Sequence, residues 1–172
     1  MANTFELISS VTVGAGGASS IDFTSIPATY TDLVLKTSVR YSGSIWNNYD
    51  LKVNNVLTNM SARFLEGNGS SASSFSASTG SNDPNFLGYV GGTNVTANTF
   101  TNNEVYFPNY AGSNYKSYSV DSAAETNATT AYLHMAATLW SSSSAINQIT
   151  LLPPSGTFVQ YSTAYLYGVK NA

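Results

Sequence analysis

The segment LVLKTSVRY (33–41) decides the fold class of this 172-residue chain. Apolar residues recur at every second position and polar residues fill most alternate positions, which is the period of a half-buried β-strand. The inward set comprises Leu33, Leu35, Val39 and Tyr41, and the outward set comprises Lys36, Ser38 and Arg40. The segment therefore predicts a strand that buries one face.

The same alternation continues along the chain, for example in Tyr49, Leu51 and Val53. No segment has helical spacing long enough for a crossover helix, and Gly- or Pro-containing turns separate the strands. Further strands are predicted at 5–13, 19–23, 60–66, 86–90, 104–108, 115–121, 130–140, 146–152 and 157–169. The pattern predicts one all-β domain over 1–172, an antiparallel, jelly-roll-like β-sandwich of about eight to ten strands.

Two segments bear most on this predicted fold, 157–169 and 120–137. In 157–169, the β-branched and aromatic residues share one face, so we expect Tyr165 and Tyr167 to close the sandwich. The Ala-rich segment 120–137 is the one competitor for a helix. Because alternation resumes at Leu133 and Met135, we expect a helical turn only near 121–127.

The tract EGNGSSASSFSASTGSNDPN (66–85) is rich in Ser and Gly and holds one aromatic residue, Phe75. A linker should separate two foldable units, and neither side of the tract has a self-sufficient set of strands. We therefore interpret it as a long internal loop. Small residues would let it lie flat against another copy of the chain, and a merely mobile loop is the alternative.

Charged residues make up only 9% of the chain, against a usual value of about 25%. Its surface must therefore rely on hydroxyl and amide groups, whose contacts respond little to ionic strength. With six basic and nine acidic residues, the net charge is −3, which argues against a nucleic-acid partner. Apolar residues at 42% and aromatic residues at 13% indicate a folded protein.

Targeting and redox signals are sparse. The start MANTFELISSVTVGAGG lacks the basic and apolar regions of a signal peptide, so we expect synthesis in a cytosol without secretion. The sequence contains no run of 18 apolar residues, so we predict no membrane insertion. With no cysteine in the sequence, disulfides and thiolate metal sites are excluded.

Catalytic signals are weak. His134 is the only histidine, and a lone histidine on a strand is more often structural than catalytic. The nearest carboxylate pairs, Asp121 with Glu125 and Asp22 with Asp32, are interpreted as solvated charges or turn residues rather than glycosidase acids. No GxSxG motif is present. We predict that the chain is not an enzyme.

Cofactor signals are similarly weak. The glycine-rich segment GAGGASS (14–20) has no lysine and precedes a strand, so it does not predict a phosphate site. SNDPN (81–85) or NNYD (47–50) could supply oxygen ligands to Ca²⁺, but Asx-turns are the favoured interpretation. We expect no cofactor.

Aromatic residues beside amides mark the best candidate contact surface. Flat apolar rings next to hydrogen-bonding groups serve both protein interfaces and sugar stacking. Trp46, on a polar turn, is the strongest candidate. The predicted contact surface comprises Trp46, Asn47, Tyr49, Asn68, Ser71 and Phe75.

Three segments resemble small virion proteins of tailed bacteriophages, particularly aquatic ones: SIDFTSIPATYTDLVLKTSVR (20–40), ARFLEGNGSSASS (62–74) and TAYLYGVKNA (163–172). The shared motifs are an IP-x-TY-x-DL segment that leads into a strand, a G-N-G-S-x-A-S loop and a YLYG segment within 163–172. The resemblance implies a non-enzymatic building block of the virion, made in the host cytoplasm.

Two roles fit that resemblance. The first is a capsid decoration or cement protein that binds the major capsid protein, with a homotrimer favoured and the N-terminal residues 1–10 adding a strand to a neighbour. The alternative is a tail or fibre module that binds a receptor or host glycan through Trp46, Tyr49 and the tract 66–85.

Overall fold

A computed structural model describes residues 4–80, 83–127 and 130–170. Within these ranges the chain forms twelve β-strands and no helix. The strands are β1 (Phe5–Thr12), β2 (Ile21–Phe23), β3 (Asp32–Val39), β4 (Asn47–Val53), β5 (Met60–Gly67), β6 (Ala72–Ser78), β7 (Phe86–Val90), β8 (Thr101–Phe107), β9 (Lys116–Ala124), β10 (Tyr132–Trp140), β11 (Ile149–Leu152) and β12 (Thr163–Val169).

The strands form two sheets of unequal width. Within each sheet, every described pairing of neighbouring strands is antiparallel. The large sheet has eight strands in the order β1-β12-β3-β8-β9-β10-β5-β6, and the small sheet has four in the order β2-β11-β4-β7. The predicted all-β antiparallel sandwich is confirmed, with more strands than the eight to ten expected.

The strand β3, which covers most of the segment 33–41, lies near the middle of the large sheet, where it pairs with β12 and β8. Leu33, Leu35 and Val39 are fully buried and belong to one apolar cluster with Leu51 and Ile149 of the small sheet. The inner faces of the two sheets therefore share a single core, whose removal from water is the main favourable term in folding.

The tract 66–85 is not one continuous loop, because its residues 72–78 form β6 and pair with β5. Phe75 stacks on Phe64 and Ala77 is buried, while alternate serines face outward. An edge strand needs few inward apolar residues, so the serine-rich composition concealed the period of two. Ser81 and Asn82 of the tract lie outside the described residues.

The predicted helical turn near 121–127 is also wrong. Residues 121–124 continue β9, whose side chains alternate between buried and exposed along its whole length. After the strand, the backbone N–H of Asn127 donates to the Glu125 carboxylate at 2.6 Å. The pairing of β9 with β8 and β10 overrides the helix propensity of alanine, so alanine density was a misleading signal.

The face assignment of β12 is reversed relative to the prediction. Tyr165 and Tyr167 face away from the small sheet, while Ala164 and Leu166 are buried inside. Gly168 also faces inward, and a Cβ there would lie 2.3 Å from the ring of Tyr30. The tyrosines therefore do not close the sandwich.

Arg40 was expected outside but is turned inward just after β3. It is only 9% exposed, and its guanidinium donates to the backbone carbonyls of Gly92, Val95, Thr96 and Thr99 at 2.5–3.1 Å. These four bonds bind the segment that connects β7 to β8 to the body of the protein. Because β3 ends at Val39, the alternation of the strand does not predict the direction of the Arg40 side chain.

Candidate contact surfaces and the aromatic row

The difference in sheet width places an aromatic row at one edge of the small sheet. β7 is the edge strand there and packs against β8, β9 and β10, so β5 and β6 extend beyond it. Side chains from the loop before β4 and from β5, β6, β7 and β10 meet at this edge. The aromatic row consists of Trp46, Tyr132, Tyr89, Phe86, Phe64 and Phe75.

The rings contact one another in sequence along the row. Trp46 meets Tyr132 edge-on at 5.6 Å between ring centroids, and Tyr132 stacks on Tyr89 at 3.8 Å. The row continues through the buried Phe86 and Phe64 and ends at Phe75, which is 37% exposed. Trp46, Tyr132 and Tyr89 are half-buried. The row therefore presents aromatic surface at both ends and is enclosed in the middle.

Glu66 and His134 lie beside the middle of the row. The Glu66 carboxylate accepts a hydrogen bond from the Tyr89 hydroxyl at 3.4 Å and one from the Ser73 hydroxyl at 3.3 Å. Burial, reinforced by the Glu66 charge, raises the pKa of Tyr89 to about 12. Tyr89 therefore keeps its proton and acts as a donor to Glu66 at neutral pH.

His134 is fully buried, with its ring 4.4 Å from the Phe86 centroid and 5.2 Å from the Phe64 centroid. Its Nδ1 lies 3.9 Å from Glu66 Oε2, and neither ring nitrogen has a hydrogen-bond partner among the described residues. Burial lowers the pKa of His134 to about 4. The imidazole is therefore neutral at pH 7, and it pairs with Glu66 only weakly.

Of the six residues predicted to form a contact surface, Trp46 and Asn47 lie together at one end of the row, and Asn47 is exposed. Tyr49 was wrongly expected at the surface: it occupies an inward position of β4 and is fully buried. Its hydroxyl lies 3.2 Å from the Thr37 hydroxyl and donates to Asn103.

The other three predicted residues lie on the β5–β6 hairpin. Asn68 Oδ1 accepts from the backbone N–H groups of Ser70 and Ser71 at 3.0 and 2.9 Å, which fixes the tight turn between the strands. Ser71 is exposed at this turn, and Phe75 ends the aromatic row. The structure therefore separates the six residues into the two ends of the row, the hairpin turn and the core.

Sequence reasoning missed an apolar surface on the outer face of the large sheet. Leu65, Leu133 and Met135 are 52%, 60% and 47% exposed, and Met135 pairs directly with Leu65 across β10 and β5. These three residues form what we call the outer apolar patch. The alternation of Leu133 and Met135 was visible in the sequence, but it lies on the outer face, and His134 and Trp140 occupy the inner one.

A second exposed apolar group lies near the other edge of the same face. Phe5 and Leu7 of β1 are more than half exposed, and Leu7 pairs with Tyr167 of β12. These three residues form the N-terminal apolar patch. Polar residues separate the two patches: Lys36 bridges to Glu104 at 2.7 Å, and Asp121 pairs with Glu104 across β8 and β9.

The carboxylate pairs considered for catalysis take different positions. Asp22 lies in the small sheet and accepts from Thr150, whereas Asp32 lies in the large sheet and accepts from the Tyr106 hydroxyl at 2.8 Å. Asp121 faces outward on β9, and Glu125 accepts from Asn127 in the following loop. In the described ranges, no three His, Cys, Asp or Glu side chains cluster as a metal site.

No protein-family model matches this chain, and neither a curated protein nor a solved structure matches it significantly. Over the described part of the chain, no helix has the length and hydropathy needed to cross a membrane. The two apolar patches and the aromatic row are the candidate contact surfaces of the described part of the chain.

Proposed function

We propose that this chain is a non-enzymatic structural protein of a bacteriophage virion that decorates the head by binding the major capsid protein. The observation that carries the proposal is the outer apolar patch, whose three side chains are each about half exposed on the outer face of the large sheet. Fully burying one such side chain contributes about 1.5–3 kcal/mol, so covering all three offers a partner roughly 3 kcal/mol.

The N-terminal apolar patch supports the same role. It lies on the same sheet face as the outer apolar patch, with β3, β8 and β9 between the two. A partner that covers both must be broad, or two neighbouring molecules must each cover one. A capsid surface with neighbouring copies of this chain, arranged as a homotrimer, provides both kinds of contact.

The test is cosedimentation of the purified chain with heads of the encoding phage that were assembled without it. We expect Leu133→Ser combined with Met135→Ser to weaken binding by at least about tenfold, because each change removes apolar area from the contact. Tyr161→Asn is the matched control, since Tyr161 is 70% exposed in the loop before β12. Unchanged head binding by the double variant would contradict the proposal.

The aromatic row favours a second candidate function, a tail or fibre module that binds a host glycan. Trp46 and Tyr132 offer half-exposed rings, and Asn47 is exposed next to Trp46. The Glu66 carboxylate bonds to Tyr89, whose ring stacks on Tyr132. Sugars stack on such rings and bond to such groups. A glycan array or host adsorption assay tests this role: Trp46→Ala should abolish binding, while the Leu133 and Met135 changes should not.

A further inference from the structure

Three depressions on the outer face of the large sheet adjoin one another and connect the two apolar patches. The first, of about 310 Å³, is lined by Phe5, Tyr167 and Lys36. Lys36 also lines the second, of about 360 Å³, which extends to Ala123 and Leu133. Ala123 and Leu133 in turn line the third, of about 380 Å³. Because each depression shares residues with the next, the three form one groove across the sheet, which we call the outer groove.

The middle of the outer groove contains more negative than positive charge. Lys36, Glu104 and Asp121 are cross-strand neighbours on β3, β8 and β9. Lys36 Nζ lies 2.7 Å from Glu104 Oε2, so this pair is neutral as a whole. Asp121 is exposed, and its carboxylate has neither an ion pair nor a hydrogen bond among the described residues. The groove therefore carries one uncompensated negative charge, which favours a cationic group on its occupant.

The distance between the apolar ends of the groove sets the length of its occupant. Tyr167 of β12 and Leu133 of β10 are separated by four strand spacings, and Leu133 is level with Thr163, four residues before Tyr167. With about 4.8 Å per spacing and about 3.4 Å per residue, the direct distance between the two ends is about 23 Å. An extended segment of about seven residues covers this distance, whereas a helix needs about 16 residues.

Asp121 lies close to the line that joins these two ends. It is level with Tyr165, three strand spacings from β12 and one from β10. The same dimensions place Asp121 about 16 Å from Tyr167 and about 8 Å from Leu133. A cationic side chain opposite Asp121 therefore belongs about five residues from one apolar end of an extended segment and about two residues from the other.

The basic residues of the chain itself do not fit this description. Two of them are buried and donate to backbone carbonyls, and two are ion-paired with glutamates. The remaining two lie in β4 and β5, strands that are paired on both sides. The six residues are Arg40, Lys116, Lys36, Lys170, Lys52 and Arg63. An extended segment with a free basic side chain therefore comes from a different protein rather than from a second copy of this chain.

We propose that the outer groove binds an extended segment of the major capsid protein in which a lysine or arginine lies between two apolar residues. The apolar side chains cover Tyr167 and Leu133, and the basic side chain pairs with Asp121. This inference rests on the proposed function, because it names the part of that partner that contacts the sheet. Apolar area supplies most of the affinity, and the single charge fixes the register of the segment.

The first test is selection from a library of random linear peptides on the immobilised full chain. Wild type should enrich peptides with a lysine or arginine between two apolar residues at the spacing given above. Asp121→Lys should instead enrich an aspartate or glutamate at the central position. Asp22→Lys makes the same change of charge in the small sheet and is the matched control, so it should select as wild type does. No enrichment by wild type, or the same enriched pattern for Asp121→Lys, would overturn the proposal.

Cosedimentation of the same variants with phage heads separates this inference from the proposed function. Asp121→Lys should weaken head binding by about 5- to 20-fold, because an ion pair is replaced by repulsion, while Asp22→Lys should bind as wild type does. If wild type and Asp121→Lys bind heads equally, the groove inference is wrong and the proposed function stands. If wild type does not bind heads, the proposed function is wrong, and the peptide selection alone then decides whether the groove binds a basic segment.

Discussion

At the scale of single residues, His134 combines complete burial with two ring nitrogens that have no hydrogen-bond partner in the described part of the chain. It contacts the rings of Phe64 and Phe86 and behaves as a flat apolar side chain. The sequence favoured a structural role for His134 over a catalytic one, and that stays a prediction. Its degree of burial was not predictable, because that depends on which face of β10 points inward.

The first prediction concerns the pH dependence of stability. The pKa of His134 is lowered to about 4 by burial, against about 6.5 in an unfolded chain. Between these values the unfolded state binds more protons, so the free energy of unfolding falls as pH drops from about 6.5 to about 4. His134 should account for roughly 3 kcal/mol of that loss. Urea titrations at several pH values measure it.

Comparison with His134→Leu isolates this contribution from the carboxylates that titrate in the same range. The variant should be more stable than wild type at pH 5 and should lose less stability between pH 6.5 and pH 4, because it has no imidazole to protonate. Parallel pH profiles of wild type and variant would contradict the assignment.

Arg40 provides the second prediction. Its guanidinium donates to four backbone carbonyls between Gly92 and Thr99, and a lysine can replace neither the number nor the fork geometry of those bonds. Arg40→Lys should therefore lower the free energy of unfolding by about 2–3 kcal/mol. Chemical denaturation measures the loss, and Arg63→Lys, at an exposed arginine on β5, should change stability little.

At the scale of secondary-structure elements, the sequence identified strands well where one face is apolar and the other polar, as in β3. Where both faces carry apolar residues, it identified the strand but not the face that points inward. In β10, Leu133 and Met135 alternate with His134, Ala136 and Trp140, so either set could face inward. The choice depends on the shape of the space beside β7, which only the packed structure defines.

The candidate surface shows the same limit. Trp46 precedes β4 and stays at the surface, while Tyr49 occupies an inward position of the same strand. The two residues are close in the sequence, and only the alternation of β4 separates them. The pairing of Trp46 with Tyr132 and Tyr89 involves residues far apart in the chain, and a single sequence carries no record of such contacts.

The third prediction concerns β6 as an edge strand. Phe75 stacks on Phe64 with 4.7 Å between centroids, and Ala77 is the one fully buried side chain of β6. Phe75→Ala should lower the free energy of unfolding by roughly 2 kcal/mol, less than for a fully buried phenylalanine. Hydrogen exchange should accelerate in residues 72–78 while β3 stays protected.

Tyr115→Ala is the control for that experiment, because Tyr115 is an exposed aromatic outside β6. It should leave the exchange of β6 unchanged. If Phe75→Ala accelerates exchange equally in β3 and β6, then β6 unfolds only together with the whole protein, and the edge-strand interpretation is wrong.

At the scale of the whole molecule, the unequal widths of the two sheets explain where the candidate surfaces lie. A four-stranded layer cannot cover eight strands, so aromatic residues fill the gap beyond β7. The opposite face of the large sheet carries both apolar patches around a small polar centre. The low charged fraction of the chain, 9%, leaves few ion pairs to direct assembly. Association should therefore depend on apolar area.

The fourth prediction follows from this dependence of association on apolar area. If the outer apolar patch mediates contact between copies, the chain should self-associate in solution, and Met135→Lys should shift the population toward monomer, because a charge cannot be buried there without a partner. Sedimentation velocity measures this shift, and Tyr161→Asn should sediment as wild type does. Raising the salt from about 0.05 M to about 0.5 M should leave wild-type association unchanged, since screening acts on charges and not on apolar contacts. Dissociation at high salt would instead assign the contact to the charged centre at Lys36, Glu104 and Asp121, and the apolar patches would then lose their proposed role in self-association.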